Sequence, residues 1–470
     1  MTHVFALRLA IVLFLSALLL LALAVGNRPD TGVAMWFAAD VAVLATFVHL
    51  LWRWWRWRQG RTERPRPSRV SDPTQQGQPI QATATVGRDL YVPFRTPNDR
   101  IVVHSYRPGH GLAPIAANAL PEPPRQLTVD GGSPERVHVL VGRTDVWVSP
   151  ADATGHFTAV AFPHGTLLDE TIAIAAAGAD LFVLTRTGTS IQLFWRCGVE
   201  APLQPIVSSP VGGTPRPLVA GRDADGVAIA AWVVESEGLV HVFAFRSDGR
   251  PLLRHAAAAI GEVAIAAGIV AFTRRAPGTE AFELWRNDAA SEPGVDLGYR
   301  DACQLVATGR DLYAVVTDDG DGARVAWLRP GQAPLLLPFR GTSAASRVHG
   351  LAAARDGIVV LTNHVSQTWA WRRVTSELQP IGAPLPDLDR PRSLAALDDG
   401  LAFAAGDALI YCVSGQTNRL LPPRKERPSA DSIPTLLVVD NTVAFLAKDN
   451  LGRGCLFASY LPANTGRTPK

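Results

Sequence analysis

Few residues of this 470-residue chain are grouped in a way that could do chemistry. His104 and His110 are the closest histidine pair in the body of the chain, six residues apart across an expected turn. As metal ligands they would need partners that the sequence does not supply, so they read as solvated turn histidines. Asp318-Asp-Gly-Asp-Gly322 has the look of a calcium loop, but the twelfth position counted from Asp319 is Pro330 rather than Glu. An acidic hairpin tip is the simpler account. Cys197, Cys303, Cys412 and Cys455 lie far apart with no CxxC pair, so neither a zinc site nor a disulfide framework is suggested. Beside expected strands, they read as buried thiols. No nucleophile elbow, phosphate loop, HExxH or GxGxxG motif is present. The sequence therefore assigns no catalytic residue, no cofactor-binding residue and no metal ligand, and no cofactor is expected.

The densest chemistry lies at residues 52–58, Trp52, Arg53, Trp54, Trp55, Arg56, Trp57 and Arg58. Tryptophan suits the headgroup boundary of a bilayer, with an apolar ring and a polar N–H. Arginine beside it attracts anionic headgroups, by about 1 kcal/mol for each residue near the surface. Upstream, Leu9 to Val25 is an uninterrupted apolar run, reaching back to Val4 if Arg8 snorkels. Val33 to Trp52 is a second run, broken by Asp40 and His49. Each is long enough to cross a bilayer core of about 30 Å at about 1.5 Å per residue. The spacing predicts a transmembrane helical hairpin over residues 1–58, with spans of about 4–25 and 33–52. A rival reading makes the first run a cleaved signal peptide, with Ala22-Leu-Ala24 at the cleavage site. Asp40 is an intramembrane polar candidate. It reads as a contact to a partner helix or a proton path, or else as a protonated or water-reaching side chain, and at a helix centre it would cost ~2.5–3.5 kcal/mol.

Residues 53–69 hold seven arginines against Glu63, a net +6, while residues 70–470 carry −3. The mild overall charge of +3 thus belongs to a collar after the second span. Positive flanks stay inside, which predicts the remainder on the cytoplasmic side of a bacterial inner membrane, with an extracytoplasmic placement as the alternative. The slightly acidic remainder argues against a nucleic-acid surface. Of the 45 basic residues 42 are arginine, which reads as the codon bias of a GC-rich genome.

Residues 59–79, rich in Arg, Pro, Ser, Gln and Gly, read as a basic linker. From residue 80 to 470 a phrase recurs nine times: a short apolar strand, a tight turn, then a strongly apolar strand. The second strands of these hairpins are expected at Leu90, Val146, Leu181, Val227, Ile269, Leu312, Ile358, Leu401 and Val443. Their spacings are 56, 35, 46, 42, 43, 46, 43 and 42, averaging 44. A period of about 40–45 with several short strands is the mark of a β-propeller. A third strand carries an aromatic residue, at Trp195, Phe245, Trp285, Trp327, Trp371, Tyr411 or Tyr460, expected to pack between blades. Ala256–Ala267, despite its alanines, fits strand-turn-strand. The expected fold is all-β, a propeller of about eight blades (seven to nine). The last unit stops soon after its third strand, so its fourth is expected from the start of the array. The stretch from Arg107 to Arg136, rich in Pro and Gly, is expected as a long loop, either a partner-binding or funnel-covering element or a plain insertion.

The phrase Gly309-Arg-Asp-Leu-Tyr-Ala-Val-Val316 resembles that of quinoprotein-type and related bacterial propeller repeats. Ala151-Asp-Ala-Thr-Gly155 is similar to the Asp-Ala-x-Thr-Gly turn of quinoprotein repeats. The resemblance reaches the broad β-propeller superfamily, WD-like repeats included, over about residues 79–470. The Trp-Asp ending of WD repeats, the sialidase box and the aromatic spacing of kelch repeats are absent, and no family function is carried over. The expected function is a membrane-anchored, non-enzymatic interaction scaffold, with anionic lipid at the collar and a protein partner not identified by the sequence. The alternative is an extracytoplasmic enzyme or ligand binder, a quinoprotein-like oxidoreductase or a hydrolase, using the central funnel.

Overall fold

The computed structural model describes residues 68–460, apart from 421–435 and stretches of one to seven residues in connections between strands. The expected membrane hairpin, Asp40 and the Trp52–Arg58 collar lie outside the described residues. Among those residues every regular element is a β-strand.

The strands form nine antiparallel sheets of four or five strands each, arranged as nine blades. Blades 1 to 8 span residues 78–114, 124–159, 170–209, 214–257, 260–296, 300–337, 347–386 and 392–420. Blade 9 combines residues 436–460 with Ser68–Arg69. The nine first strands touch one another in cyclic order and make the inner wall. Second strands have both faces covered by neighbouring blades, so they read as continuous apolar runs. Asp180–Thr187 begins with six consecutive buried residues, and all of Gly400–Ala405 is buried. Third strands alternate, as in Ser190–Cys197. A fourth strand such as Gly111–Pro114 is largely exposed.

Hairpin turns follow from residues that accept positive φ. Ala267 (φ 46°) and Gly268 (φ 83°) join Ile260–Ala266 to Ile269–Arg275, a two-residue connection with both residues left-handed. That geometry matches the twist of the strands it joins. The Ala256–Ala267 stretch is accordingly strand, turn and strand.

Each hydrophobic core lies between two blades. Ala175, Phe182 and Leu193 of blade 3 meet Ala230 and Trp232 of blade 4. Eight such cores run from blade 1 to blade 9, and a ninth closes the circle. In the closing core Leu90, Val92 and Phe94 of blade 1 pack on Ala444, Leu456 and Ala458 of blade 9. The third-strand aromatics Trp195, Trp285, Trp327 and Trp371 belong to these inter-blade cores.

The expectation of eight blades is corrected to nine: every hairpin in the sequence is a blade. The last is completed from the chain's earlier part, as expected. Ser68 pairs with Ala458 and Arg69 with Phe457. Val70 N–H donates to Leu456 O at 2.8 Å, and Leu456 N–H donates to the Oγ of buried Ser71 at 2.8 Å. Ser68–Arg69 and Gln78–Pro79, inside the stretch read as linker, are strands of blades 9 and 1.

Blade 2 needs a second correction. Its second strand is Val137–Val141, and the expected Val146 sits in its third, Asp145–Val148. Second strands then start at Asp89, Val137, Asp180, Ala228, Ile269, Leu312, Gly357, Gly400 and Thr442. The uneven 56 and 35 become 48 and 43. Trp147 takes the aromatic position of blade 2, and Tyr106 that of blade 1. The long loop expected at Arg107–Arg136 contains the fourth strand of blade 1, Gly111–Pro114, and the first of blade 2, Pro124–Val129.

Candidate binding face

Alternating strand directions put the first-to-second and third-to-fourth connections on one face of the ring. The chain joins the ring on this face at Ser68, so we call it the proximal face. Aromatic–arginine pairs end several third strands there: Tyr106-Arg107, Trp195-Arg196, Phe245-Arg246, Trp285-Arg286 and Trp371-Arg372. Aspartates at or beside the first-to-second turns stand next to them. Arg107 donates to both oxygens of Asp89, at 2.8 and 2.5 Å. Asp180 accepts from Trp195 Nε1 at 2.7 Å and from Arg222 Nη2 of the next blade at 2.5 Å. Arg246 lies 3.1 Å from Asp223. A two-pronged guanidinium–carboxylate bond fixes orientation as well as charge. The belt is a repeated structural device, and its period is that of the blades.

Between blades 2 and 3 the device is sealed inside. His138 Nε2 is 2.8 Å from Asp130 Oδ2, and Arg196 Nη2 is 3.4 Å from His138 Nδ1. Arginine only donates, so Nδ1 accepts and the Nε2 proton points to Asp130. Burial is the main cause holding the His138 imidazole neutral, with its pKa well below the ordinary value. Burial pushes Asp130 up, but hydrogen bonds from His138 and from the N–H groups of Arg136 and Gly132 overcome it, leaving the carboxyl below its usual range. Asp130, His138 and Arg196 are 2%, 1% and 4% exposed. A substrate has no path to them, and the triad ties blade 2 to blade 3.

The inner wall carries a second device. First strands bulge near their starts, between Pro124 and Gln126, Thr171 and Ala173, Ile260 and Val263, and Val348 and Gly350. Polar side chains of the first strands reach the main chain of the next blade. Gln126 Nε2 donates to Ile174 O at 2.7 Å, and Ile174 N–H donates back to Gln126 Oε1 at 2.9 Å. Arg216 donates to Ile260 O at 2.6 Å, and Gln304 Nε2 to His349 O at 3.3 Å. Leu305 N–H donates to Glu262 at 2.5 Å. Gln304 (φ 51°) and Ser393 (φ 53°) hold left-handed backbone, which costs ~1–3 kcal/mol for a non-glycine residue. Together with His349, Leu394 and Phe403 they line a cavity of about 210 Å³. That is below the ~300–1,000 Å³ of pockets that enclose whole ligands, and fits a small group. A second cavity of about 300 Å³ opens at blade 2 beside Asp145, Phe162 and Leu168.

Residues singled out by sequence are not brought together. His110 is an exposed turn residue with Nδ1 3.4 Å from Pro108 O. His104 instead lies in the third strand of blade 1, edge-on to Phe94 at 5.2 Å, with its pKa lowered by burial. Cys412 and Cys455 are buried, whereas Cys197 and Cys303 are exposed because each falls at a strand end or bulge. Asp318 ends one strand and pairs with Gly322, which begins the next, and the residues between them lie outside the described residues. Among the described residues no three His, Cys, Asp or Glu side chains form a metal-holding group. The belt and the inner-wall latches were missed by sequence reading. The belt's signal was available as Asp at the turn and aromatic–Arg at the third strand's end.

No family model matches the chain, and no curated protein matches it. Solved structures do. YCF48 bound to D1 peptide is 12% identical, with 73% of this chain and 96% of that chain covered and a TM-score of 0.34. The Dos1 propeller is 12% identical, with 69% and 88% covered and a TM-score of 0.38. The PQQ-bound aldose sugar dehydrogenase of Streptomyces coelicolor is 12% identical, with 63% and 97% covered and a TM-score of 0.28. Likeness at this level says nothing of activity or partner. By its nine sheets and the strand that closes them, the chain is a β-propeller.

Proposed function

We propose that this protein is a membrane-anchored β-propeller acting as a non-enzymatic protein-interaction scaffold at the cytoplasmic face of a bacterial inner membrane. One observation carries the tethered reading. Ser68–Arg69, ten residues beyond Arg58, is built into blade 9, so a collar held by anionic lipid holds the ring as well. The large proximal face, with its repeated Asp, Arg and aromatic groups, is the surface offered to a partner. The test is a pair of reporters fused after residue 470, a fluorescent protein active inside and a phosphatase active outside. Fluorescence without phosphatase activity is expected, and a phosphatase signal overturns the cytoplasmic placement. Deleting residues 1–58 is expected to release the ring from the membrane fraction.

A second reading, an extracytoplasmic enzyme or ligand binder, is favoured by the inner-wall cavity at Gln304, His349 and Ser393, where strained backbone borders polar side chains. A metal or organic cofactor co-purifying with the full chain would support it and sink the pure scaffold.

A further inference from the structure

The proximal belt departs from its own pattern between blades 6 and 7. Tyr313 and Trp327 stack there, with ring centroids 6.2 Å apart and planes within 14°. The guanidinium carbon of Arg329 is 4.5 Å from the centre of the Trp327 ring, and that of Arg373 is 4.2 Å from it. Two cations thus lie over one indole and are no farther apart than the sum of those distances. A third, Arg286, reaches the same edge and donates to Gln332 O at 2.7 Å.

Among the described residues carboxylate is short at this place. Asp311 is 3.7 Å from Arg373 Nη1, against 2.5–3.1 Å for the pairs in blades 1, 3 and 4. Asp311 also accepts from the Tyr313 hydroxyl at 3.3 Å. Asp356 is engaged by Arg372 at 3.6 Å. Arg329 forms no ion pair among the described residues. Among the described residues four buried nitrogens of these side chains have no hydrogen-bond acceptor, Trp327 Nε1, Arg329 Nε, Arg373 Nε and Arg373 Nη1, while Arg373 Nη2 donates to Asp356 O at 3.4 Å. All four are donors. An unpaired Nε recurs elsewhere in the belt, at Arg196 and Arg246; what distinguishes this place is that Asp311 stays 3.7 Å from Arg373 and no carboxylate among the described residues pairs with Arg329. The Arg373 side chain keeps 14% of its surface exposed and Arg329 is half-buried, so the group lies just beneath the proximal face.

We propose that Arg329 and Arg373 form a phosphate-binding site on the proximal face, with Trp327 as the platform that orients both guanidinium forks and Asp311 as the carboxylate a phosphate must outcompete. The chemistry favours phosphate over a carboxylate because a phosphate presents three acceptor oxygens to two arginine forks. Lying over the indole restricts where each guanidinium can point, and leaves Arg329 Nε and Arg373 Nε without a competing acceptor among the described residues. The phosphate group is either free or carried on a lipid headgroup. This proposal stands apart from the tether, since it uses only residues of blades 6 and 7.

The test is titration of the full chain, purified in detergent, with inorganic phosphate and separately with a short-chain phosphatidic acid, followed by Trp fluorescence and calorimetry. Saturable binding of at least one probe is expected. Arg329→Gln and Arg373→Gln are each expected to weaken it about tenfold or more, since each removes charge-assisted bonds. Asp311→Asn is expected to tighten it by removing a competing carboxylate. Arg100→Gln, on an exposed turn of blade 1, is expected to leave it unchanged. Binding of both probes assigns the site to the phosphate group itself, and binding of the lipid probe alone assigns it to a headgroup. Should Arg329→Gln fail to fold, Arg329→Lys keeps the charge, loses the fork and is still expected to weaken binding. Neither probe binding at millimolar concentration overturns the proposal. So does binding unaltered in both glutamine variants of normal thermal stability.

Discussion

Ser71→Ala tests how the ring is closed. The fourth strand of blade 9 is only two residues long, yet the third strand beside it is seven. Leu456 N–H therefore meets no main-chain carbonyl of a fourth strand. It donates instead to Ser71 Oγ at 2.8 Å, and Ser71 is 1% exposed. Removing the hydroxyl leaves a buried N–H without a partner, at about 1–3 kcal/mol. Nothing else in the seam changes, because the methyl of alanine fits where the serine stood. Hydrogen exchange reads this cost locally. Opening of Gly454–Tyr460 should become roughly 5- to 150-fold more frequent, while the amides of blades 3 to 6 keep their protection. Ser71→Thr retains the acceptor and should restore most of it. The reasoning is refuted if Leu456 exchanges at the parental rate in Ser71→Ala, or if all blades lose protection together.

Three further outcomes are expected. Burial lowers the pKa of His104, His138, His255 and His364 below the value of an unfolded chain, so their contribution to stability is fully present above about pH 6.5 and is lost as pH falls. Unfolding free energy should drop by up to about 1.4 kcal/mol per pH unit for each such group below pH 6.5, and stability unchanged down to pH 5 would count against neutral burial. Gln126→Leu strips both bonds to Ile174 and should cost about 1–3 kcal/mol in urea unfolding, with no loss if the latch is idle. Gly221→Ala places a Cβ 2.7 Å from Ile265 Cγ2 and 3.1 Å from Ile265 O, so crowding of blades 4 and 5 should cost about 1–3 kcal/mol in the same assay.

The repeat was legible because second strands are buried on both faces and stay apolar whatever their neighbours. Nine such runs stood in the sequence, and nine blades stand in the ring. Blade 2 was misregistered because its first turn, residues 130–136, lacks the short Gly-x-Asp phrase, while Val146-Trp-Val has the composition of a second strand. The source of the closing strand was inferable from an incomplete last unit, but its position was not: two residues, Ser68 and Arg69, carry no periodicity. The latch from Gln126 to Ile174 joins a side chain to a backbone 48 residues away, so no pattern of residue types betrays it. Nor could spacing show that Arg329 and Arg373, from different blades, share one indole.

The closing strand also imposes an order on biosynthesis. Ser68 and Ala458 are 390 positions apart, and the ring cannot complete until both have been made. At ~5–20 residues per second, roughly 20 to 80 s pass between the synthesis of one and the other. Blades 1 to 8 can form in turn as they leave the ribosome, each covering the apolar face of the one before. Throughout that interval Leu90, Val92 and Phe94 of blade 1 remain open to water, awaiting blade 9. The nascent ring is most prone to join a second copy of itself at this face, and residues 436–460 decide whether it closes alone.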